Sequence, residues 1–152
     1  MIKIVKGNIL DVEYGCIVHQ VNCFGSTGGL AGKIFEKYPC AKYEYLGLVK
    51  EHEERRHELM GTVNVSSGSD QVKICNMFSQ FNPGTVEHSA LNLMYINIEK
   101  ALRWVSETFS DDYPIHMPYK MSCGIAGGDW DKVLSIIIDT LGSKNVFIHY
   151  YC

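Results

Sequence analysis

The stretch Cys16-Ile17-Val18-His19-Gln20-Val21-Asn22-Cys23-Phe24-Gly25-Ser26-Thr27-Gly28-Gly29-Leu30-Ala31-Gly32 decides how the rest of the chain is read. Its first part is a mostly apolar run between Gly15 and Asn22, the pattern of a strand covered on both faces. Its second part is a glycine-rich turn. Leu30 to Tyr38 then carries apolar residues at helical spacing until Pro39 stops the pattern. A buried strand running through a glycine turn into a helix is the repeating unit of a layered α/β sheet.

The flanking sequence extends the alternation. Residues 2–5 alternate apolar and charged as a half-buried strand does, and residues 41–58 read as a helix charged on one side. Strand character returns at 61–65 and 72–78, with a Ser/Gly/Asp turn at 66–70 that predicts a hairpin. Leu91, Met94, Ile98, Ala101, Leu102, Val105 and Phe109 lie on one face of a long helix. Residues 115–118 read as a short strand, 129–141 as a helix with an aspartate at its start, and 146–150 as a last strand. The expected fold class is α/β, with one antiparallel hairpin in the middle of the chain.

Composition bounds the function. A chain of 152 residues, 46% hydrophobic and 20% charged, is expected to form one domain spanning 1–152 with a well-formed core. Fourteen basic against seventeen acidic side chains, net −3, weigh against a nucleic-acid footprint. No apolar run approaches the roughly 18 residues of a membrane span, and residues 1–6 are too short and too charged for a secretory segment. A cytoplasmic monomer away from membranes is the expectation. The six cysteines include no Cys-x-x-Cys pair, which favours reduced thiols over zinc or disulfide frameworks.

Two glycine-rich turns are candidates for chemistry: residues 22–32, and Ser122-Cys123-Gly124-Ile125-Ala126-Gly127-Gly128-Asp129-Trp130. At the carboxyl ends of strands, such turns let the backbone approach a ligand, and amides with a helix dipole favour phosphate or pyrophosphate. Neither has P-loop or dinucleotide-fold spacing. His19 is either a core histidine satisfied by a carbonyl or a general acid/base facing the loop. Strand alternation puts His19 and Asn22 on opposite faces unless the chain bends before Asn22. His52 and His57 are five apart, not the four a metal helix needs, and His88, His116 and His149 lack a second ligand at usable spacing, so no metal site is expected. Cys23 and Cys123 adjoin the turns, where small size rather than nucleophilicity is the commoner reason for cysteine. Trp130 reads as a core anchor, and Phe24 as an aromatic that could stack on a ribose or base.

Taken in order, these motifs resemble a macro domain, the ADP-ribose-binding module. The likeness runs from Lys6-Gly7-Asn8-Ile9 through Val21-Asn22-Cys23, the glycine stretch, Tyr38-Pro39 and 76–80, to 123–130. The run from His19 to Gly29 is most similar to the stand-alone yeast-type ADP-ribose-1″-phosphate phosphatase branch with its phage-encoded relatives. The resemblance implies a three-layer α/β/α sandwich with a mixed, mostly parallel sheet. It implies that Asn8 and Ile9 border the adenine, with asparagine offering an uncharged oxygen where many macro domains have aspartate. Asn22 would hold the distal ribose, and Gly28, Gly29 and Leu30 would flank the pyrophosphate opposite Cys123, Gly124, Ile125 and Ala126. It further implies hydrolysis of ADP-ribose-1″-phosphate with His19 and Asn22 as catalytic residues and no cofactor. A second branch removes ADP-ribose from macromolecules with a lysine and an aspartate, but Gln80 and Ala126 stand at those positions. Non-catalytic recognition of ADP-ribose is the third implied reading.

Overall fold

The computed structural model describes residues 1–151, so Cys152 lies outside the described residues. Six strands, β1 (Ile2–Lys6), β2 (Gly15–Asn22), β3 (Val63–Ser67), β4 (Val72–Gln80), β5 (Ile115–Pro118) and β6 (Val146–Tyr150), form one sheet in the order β1-β6-β5-β2-β4-β3. All neighbours are parallel except the β3–β4 hairpin at one edge. The hairpin central to the sequence is therefore peripheral in the sheet. Four α-helices, α1 (Gly29–Lys37), α2 (Pro39–Glu51), α3 (Leu91–Thr108) and α4 (Trp130–Leu141), occur among the described residues. The result is the α/β class expected from the alternation of elements, in the α/β/α sandwich with a mixed, mostly parallel sheet that the resemblance implied.

Side-chain alternation in the sheet divides the interior into two cores. Cys16, Val18, Cys75, Met77, Ile115, Met117, Val146 and Ile148 face α3 and α4, which contribute Ile98, Leu102, Val133 and Ile137. Ile17, Val21, Ile74 and Phe78 face α1 and α2, which contribute Ile34, Phe35, Ala41 and Tyr45. No helix of the described residues is long and apolar enough to cross a membrane. The five described cysteines are free thiols.

Two elements depart from the expected bounds. Pro39, expected only as a helix stop, also opens α2, because proline suits a first helical position whose N–H needs no partner. The same helix ends at Glu51, not near residue 58. His52 turns its Nδ1 onto the Leu48 carbonyl at 2.8 Å, and a separate 3-10 turn follows at Arg56–Leu59. Glu51, Glu53 and Glu54 cluster where the helix dipole favours cations, and Arg56 is drawn aside to the Cys23 carbonyl.

Gly15 starts β2 at φ +112°, where a Cβ would sit 2.5 Å from the Pro114 carbonyl oxygen, whereas Gly47 in α2 has open space around it. Gly15→Ala is therefore expected to cost about 2 kcal/mol or more, and Gly47→Ala to add roughly 0.5–1 kcal/mol. Urea denaturation of the two variants reads this directly, and equal midpoints would contradict it.

Candidate functional site

A cavity of about 510 Å³ opens over the carboxyl ends of β2, β4 and β5. Its walls are the first glycine turn (Ser26, Gly28 to Ala31) and the second loop (Lys120 to Ser122, Gly124 to Ala126), with Gln80, Pro83 and Gly84 between them. His19, Gln20, Val21 and Asn22 contribute from β2. The sequence-derived candidates His19, Asn22, Gly28, Gly29, Leu30, Gly124, Ile125 and Ala126 are thus brought together. Asn8, Ile9, Phe24 and Cys123 do not line this cavity.

Local geometry explains the meeting of His19 and Asn22. The β2–β4 register slips between Val21, opposite Phe78, and Asn22, opposite Gln80. The extra residue of this slip, Ser79, lies on β4, while Asn22 reaches the layer of His19: its Oδ1 lies 3.1 Å from the Tyr45 hydroxyl, and Tyr45 stacks on the Phe35 ring that meets His19. Asn22 then organises the turn. Its Oδ1 accepts from the amides of Phe24 (2.9 Å) and Ser26 (3.2 Å), and its Nδ2 donates to the Ser26 carbonyl at 2.9 Å. Buried Tyr45 donates to the Asn22 carbonyl at 2.7 Å and accepts from the Gly25 amide at 3.2 Å.

The two walls present backbone donors in different ways. Helix α1 begins at Gly29 with Gly28 as N-cap, no side-chain cap and no acid in its first turn, so its first amides are left to a ligand. Helix α4 is instead capped by Asp129, whose Oδ1 accepts from Asp131 N at 3.0 Å. The second wall offers loop amides rather than a helix end. The N–H groups of Gly124, Ile125 and Ala126 carry no hydrogen bond among the described residues, while Gly128 N is tied to Ser122 O at 2.9 Å. A Cβ on Gly28, Gly29 or Gly124 would meet nothing within 4 Å, but one on Gly32 or Gly128 would lie 2.4 Å from Thr27 O or 2.6 Å from Ser122 O. The first three glycines keep space open, and the other two close the loops against themselves.

Among the described residues, Lys120 is the only one carrying full charge on the cavity wall, and no carboxylate of theirs lines it. This balance suits an anion held by dipoles. Gln20, which sequence reasoning did not single out, ties the second wall to the end of β4. Its Oε1 accepts from Ser79 and Ser122 hydroxyls, each at 2.7 Å, and its Nε2 donates to Gln80 Oε1 at 2.9 Å. Gln80 in turn donates to the Gly84 carbonyl at 2.7 Å.

His19 is buried, its ring edge-on to Phe35 at 5.4 Å and its Nε2 2.7 Å from Asn76 Oδ1. Asn76 Nδ2 donates to Ala41 O and Asn64 Oδ1, so its oxygen faces the imidazole and His19 Nε2 is the donor. Burial, only partly offset by Asn76, pushes the imidazole from 6.5 down to about 4. His19 is consequently neutral near pH 7 and can take a proton rather than give one. Burial also drives the Cys23 thiol up to about 12 and the Cys123 thiol to about 11, so neither is a thiolate at neutral pH.

The remaining candidates have other partners. Asn8 caps the turn at Ile9–Asp11 by accepting from Leu10 N at 3.0 Å. Phe24 lies under the Arg56 guanidinium at 4.4 Å and edge-on to Phe81 at 5.2 Å. Trp130 packs partly buried against Tyr119. His116 and His149, expected to have no second metal ligand at usable sequence spacing, bond to each other across β5 and β6 at 2.8 Å, and burial lowers both. They are 33 residues apart in sequence, and only strand register joins them. No group of three His, Cys, Asp or Glu side chains able to hold a metal ion occurs among the described residues.

No family model and no curated protein matches the chain. Solved structures do. A macrodomain protein from Streptomyces coelicolor superposes with a TM-score of 0.80 at 22% identity, covering 100% of both chains. The macrodomain of Mycobacterium tuberculosis DarG gives 0.72 at 21%, over 98% of this chain and 97% of the other. A mutant Oceanobacillus iheyensis macrodomain with ADPR gives 0.66 at 20%, over 99% and 84%.

The depressed imidazole has a consequence for stability. Between 6.5 and about 4 the unfolded chain holds a proton that folded His19 refuses, so this stability is present above 6.5 and drains as pH falls toward 4. The wild type is expected to lose about 2 kcal/mol from this source between pH 7 and pH 5, and His19→Gln to lose correspondingly less. Parallel urea slopes for both proteins across that range would refute the assignment. At one-fifth identity the superpositions speak for architecture, and the architecture of this chain is the macrodomain fold.

Proposed function

We propose that the cavity binds ADP-ribose and that the chain hydrolyses the terminal phosphate of ADP-ribose-1″-phosphate. The observation carrying the first part is the pair of facing backbone walls, the uncapped first turn of α1 and the unbonded amides of 124–126, in a cavity where the described residues place one cation and no carboxylate. Fixed amide dipoles suit the delocalised charge of a pyrophosphate. The volume of about 510 Å³ is in the range of nucleotide-sized sites. A solved neighbour of the same fold, the Oceanobacillus iheyensis macrodomain, carries ADPR.

In this reading Gly28, Gly29 and Leu30 flank the pyrophosphate opposite Cys123, Gly124, Ile125 and Ala126. Cys123 contributes through its backbone position, since its thiol donates to Met121 O. Asn22 spends one amide hydrogen on Ser26 O and keeps the other for a hydroxyl of the distal ribose. Asn8 and Ile9 border the adenine beyond the cavity, and Phe24 lies at the rim of the turn.

The reaction is attack of water on the terminal phosphorus. The new P–O bond forms as the bond to the 1″ oxygen breaks, the water proton goes to His19 Nδ1, and the ribose oxygen recovers it as the 1″ hydroxyl. His19 acts as base first, because a neutral imidazole whose Nε2–H is committed to Asn76 has only Nδ1 with which to accept. Gln80 and Ala126 both line the cavity and offer neither an amine nor a carboxylate, which favours water over a covalent route.

Calorimetric titration with ADP-ribose tests the binding step, and phosphate release from the 1″-phosphate tests the chemistry. Gly28 has φ −82°, a conformation any residue adopts, and a Cβ there meets only open space. Gly28→Val is expected to keep wild-type stability and weaken ADP-ribose binding at least about tenfold, roughly 1.4 kcal/mol. His19→Ala is expected to bind ADP-ribose and lower phosphate release at least about a hundredfold. Unaltered affinity in the first variant, or unaltered phosphate release in the second, would overturn the corresponding step.

A further inference from the structure

His19, Asn76 and Asn64 occupy one row across three strands: His19 of β2 is in register with Asn76 of β4, which is in register with Asn64 of β3. Their side chains join in one direction. His19 Nε2 donates to Asn76 Oδ1 at 2.7 Å, and Asn76 Nδ2 donates to Asn64 Oδ1 at 3.0 Å. Asn64 Nδ2 donates to Glu44 Oε1 of α2 at 3.3 Å, and Glu44 Oε2 accepts from Ser66 Oγ at 2.8 Å. Asn76 has no exposed surface, and its second amide hydrogen goes to Ala41 O at 3.2 Å.

Direction is the informative feature. Glu44 can only accept, so Asn64 must turn its nitrogen to it and its oxygen to Asn76. Asn76, meeting acceptors at both Ala41 O and Asn64 Oδ1, must turn its own oxygen to His19. The imidazole is left one choice: hydrogen on Nε2, lone pair on Nδ1. That Nδ1 is the one buried side-chain N or O atom without a partner among the described residues, and His19 lines the cavity.

We propose that Asn76, Asn64 and Glu44 are positioning residues that lock His19 in the Nε2–H tautomer, leaving Nδ1 as a fixed acceptor for an O–H donor in the cavity. The assignment rests on the hydrolytic reading above for its functional part and on hydrogen-bond direction for its structural part. The donor is either the attacking water or a hydroxyl of the distal ribose. A phosphate oxygen without hydrogen gains nothing from a lone pair, so His19 selects against direct contact with the anion and for the hydroxyl beside it. None of the three positioning residues lines the cavity. Their substitution should act on turnover rather than on substrate affinity.

The test is a pair of measurements on the intact protein carrying 15N-labelled histidine. Long-range proton–nitrogen spectra near neutral pH, with His19 assigned from its loss in His19→Gln, are expected to show a single neutral Nε2–H tautomer. Asn76→Leu is expected to give mixed tautomers. It should lower kcat for phosphate release at least about tenfold with KM within about twofold, since a misplaced tautomer forfeits part of the general-base contribution. The half-buried Asn64→Ala is expected to shift both readouts the same way by less, and it serves if Asn76→Leu does not fold. Adding ADP-ribose moves the His19 Nδ1 resonance if the ribose hydroxyl is the donor and leaves it in place if water is. An Nδ1–H or mixed tautomer in the wild type would overturn the proposal. So would a wild-type tautomer in both variants, or mixed tautomers with unchanged kcat. A wild type that shows the locked tautomer but releases no phosphate defeats the hydrolytic reading and leaves the lock standing.

Discussion

The Asn22 side chain is the constraint on which the cavity depends. A strand leaving a sheet tends to continue along its own direction, and a glycine-rich segment beyond it has a wide choice of paths. β2 ends at Asn22, where pairing with β4 skips Ser79, and the Asn22 amide gathers Phe24 N, Ser26 N and Ser26 O onto one group. Tyr45, buried among Phe35 and Phe78, fixes the same turn from below through Asn22 O and Gly25 N. Only with the turn held does α1 begin where its uncapped amides line the cavity. A core aromatic on α2 thereby sets the position of a cavity-facing backbone on α1.

With the walls made of backbone, the electrostatics follow. Partial charges on amides are fixed in place and cost no reorganisation when an anion arrives, unlike a cluster of lysines that would repel one another while empty. The single Lys120 leaves the cavity weakly charged in a chain whose net charge is −3. In the proposed complex, recognition would rest on short-range direction more than on long-range attraction, with a correspondingly shallow dependence on ionic strength. Gln20 serves the same economy: a neutral side chain that touches Ser79, Gln80 and Ser122 joins the second wall to β4 without adding charge.

Most of the architecture was legible because period and punctuation agree along the chain. The apolar run at 16–21, the α3 stripe from Leu91 to Val105 and the Asp129 cap each identify their elements locally. The end of α2 was not legible, since the charged run at 50–58 is as compatible with an exposed helix as with a turn. What decides it is Arg56 reaching Cys23 O and Phe24, a contact made across 33 residues. The glycine turns announced a backbone-lined site, but which glycines keep space open depends on neighbours such as Thr27 O and Ser122 O. Asn76, like Gln20, carried an overlooked local signal, an amide inside an otherwise apolar strand. Its partner on each side is set by register, which sequence does not print.

The neutrality of the His19–Asn76–Asn64 row is itself a choice with chemical content. A carboxylate at position 76 would also accept from His19 Nε2, and it would stabilise an imidazolium in the low-dielectric interior. It would then face Ala41 O and Asn64 Oδ1, acceptor against acceptor, and carry a buried charge without a second partner. Asparagine keeps the orientation and omits the charge, so the imidazole stays neutral and its lone pair stays available. An anion bound nearby reverses part of the burial effect, because negative charge favours the protonated ring. In the proposed reaction a bound phosphate would therefore raise the basicity of His19 above that in the empty cavity, favouring proton uptake with substrate in place.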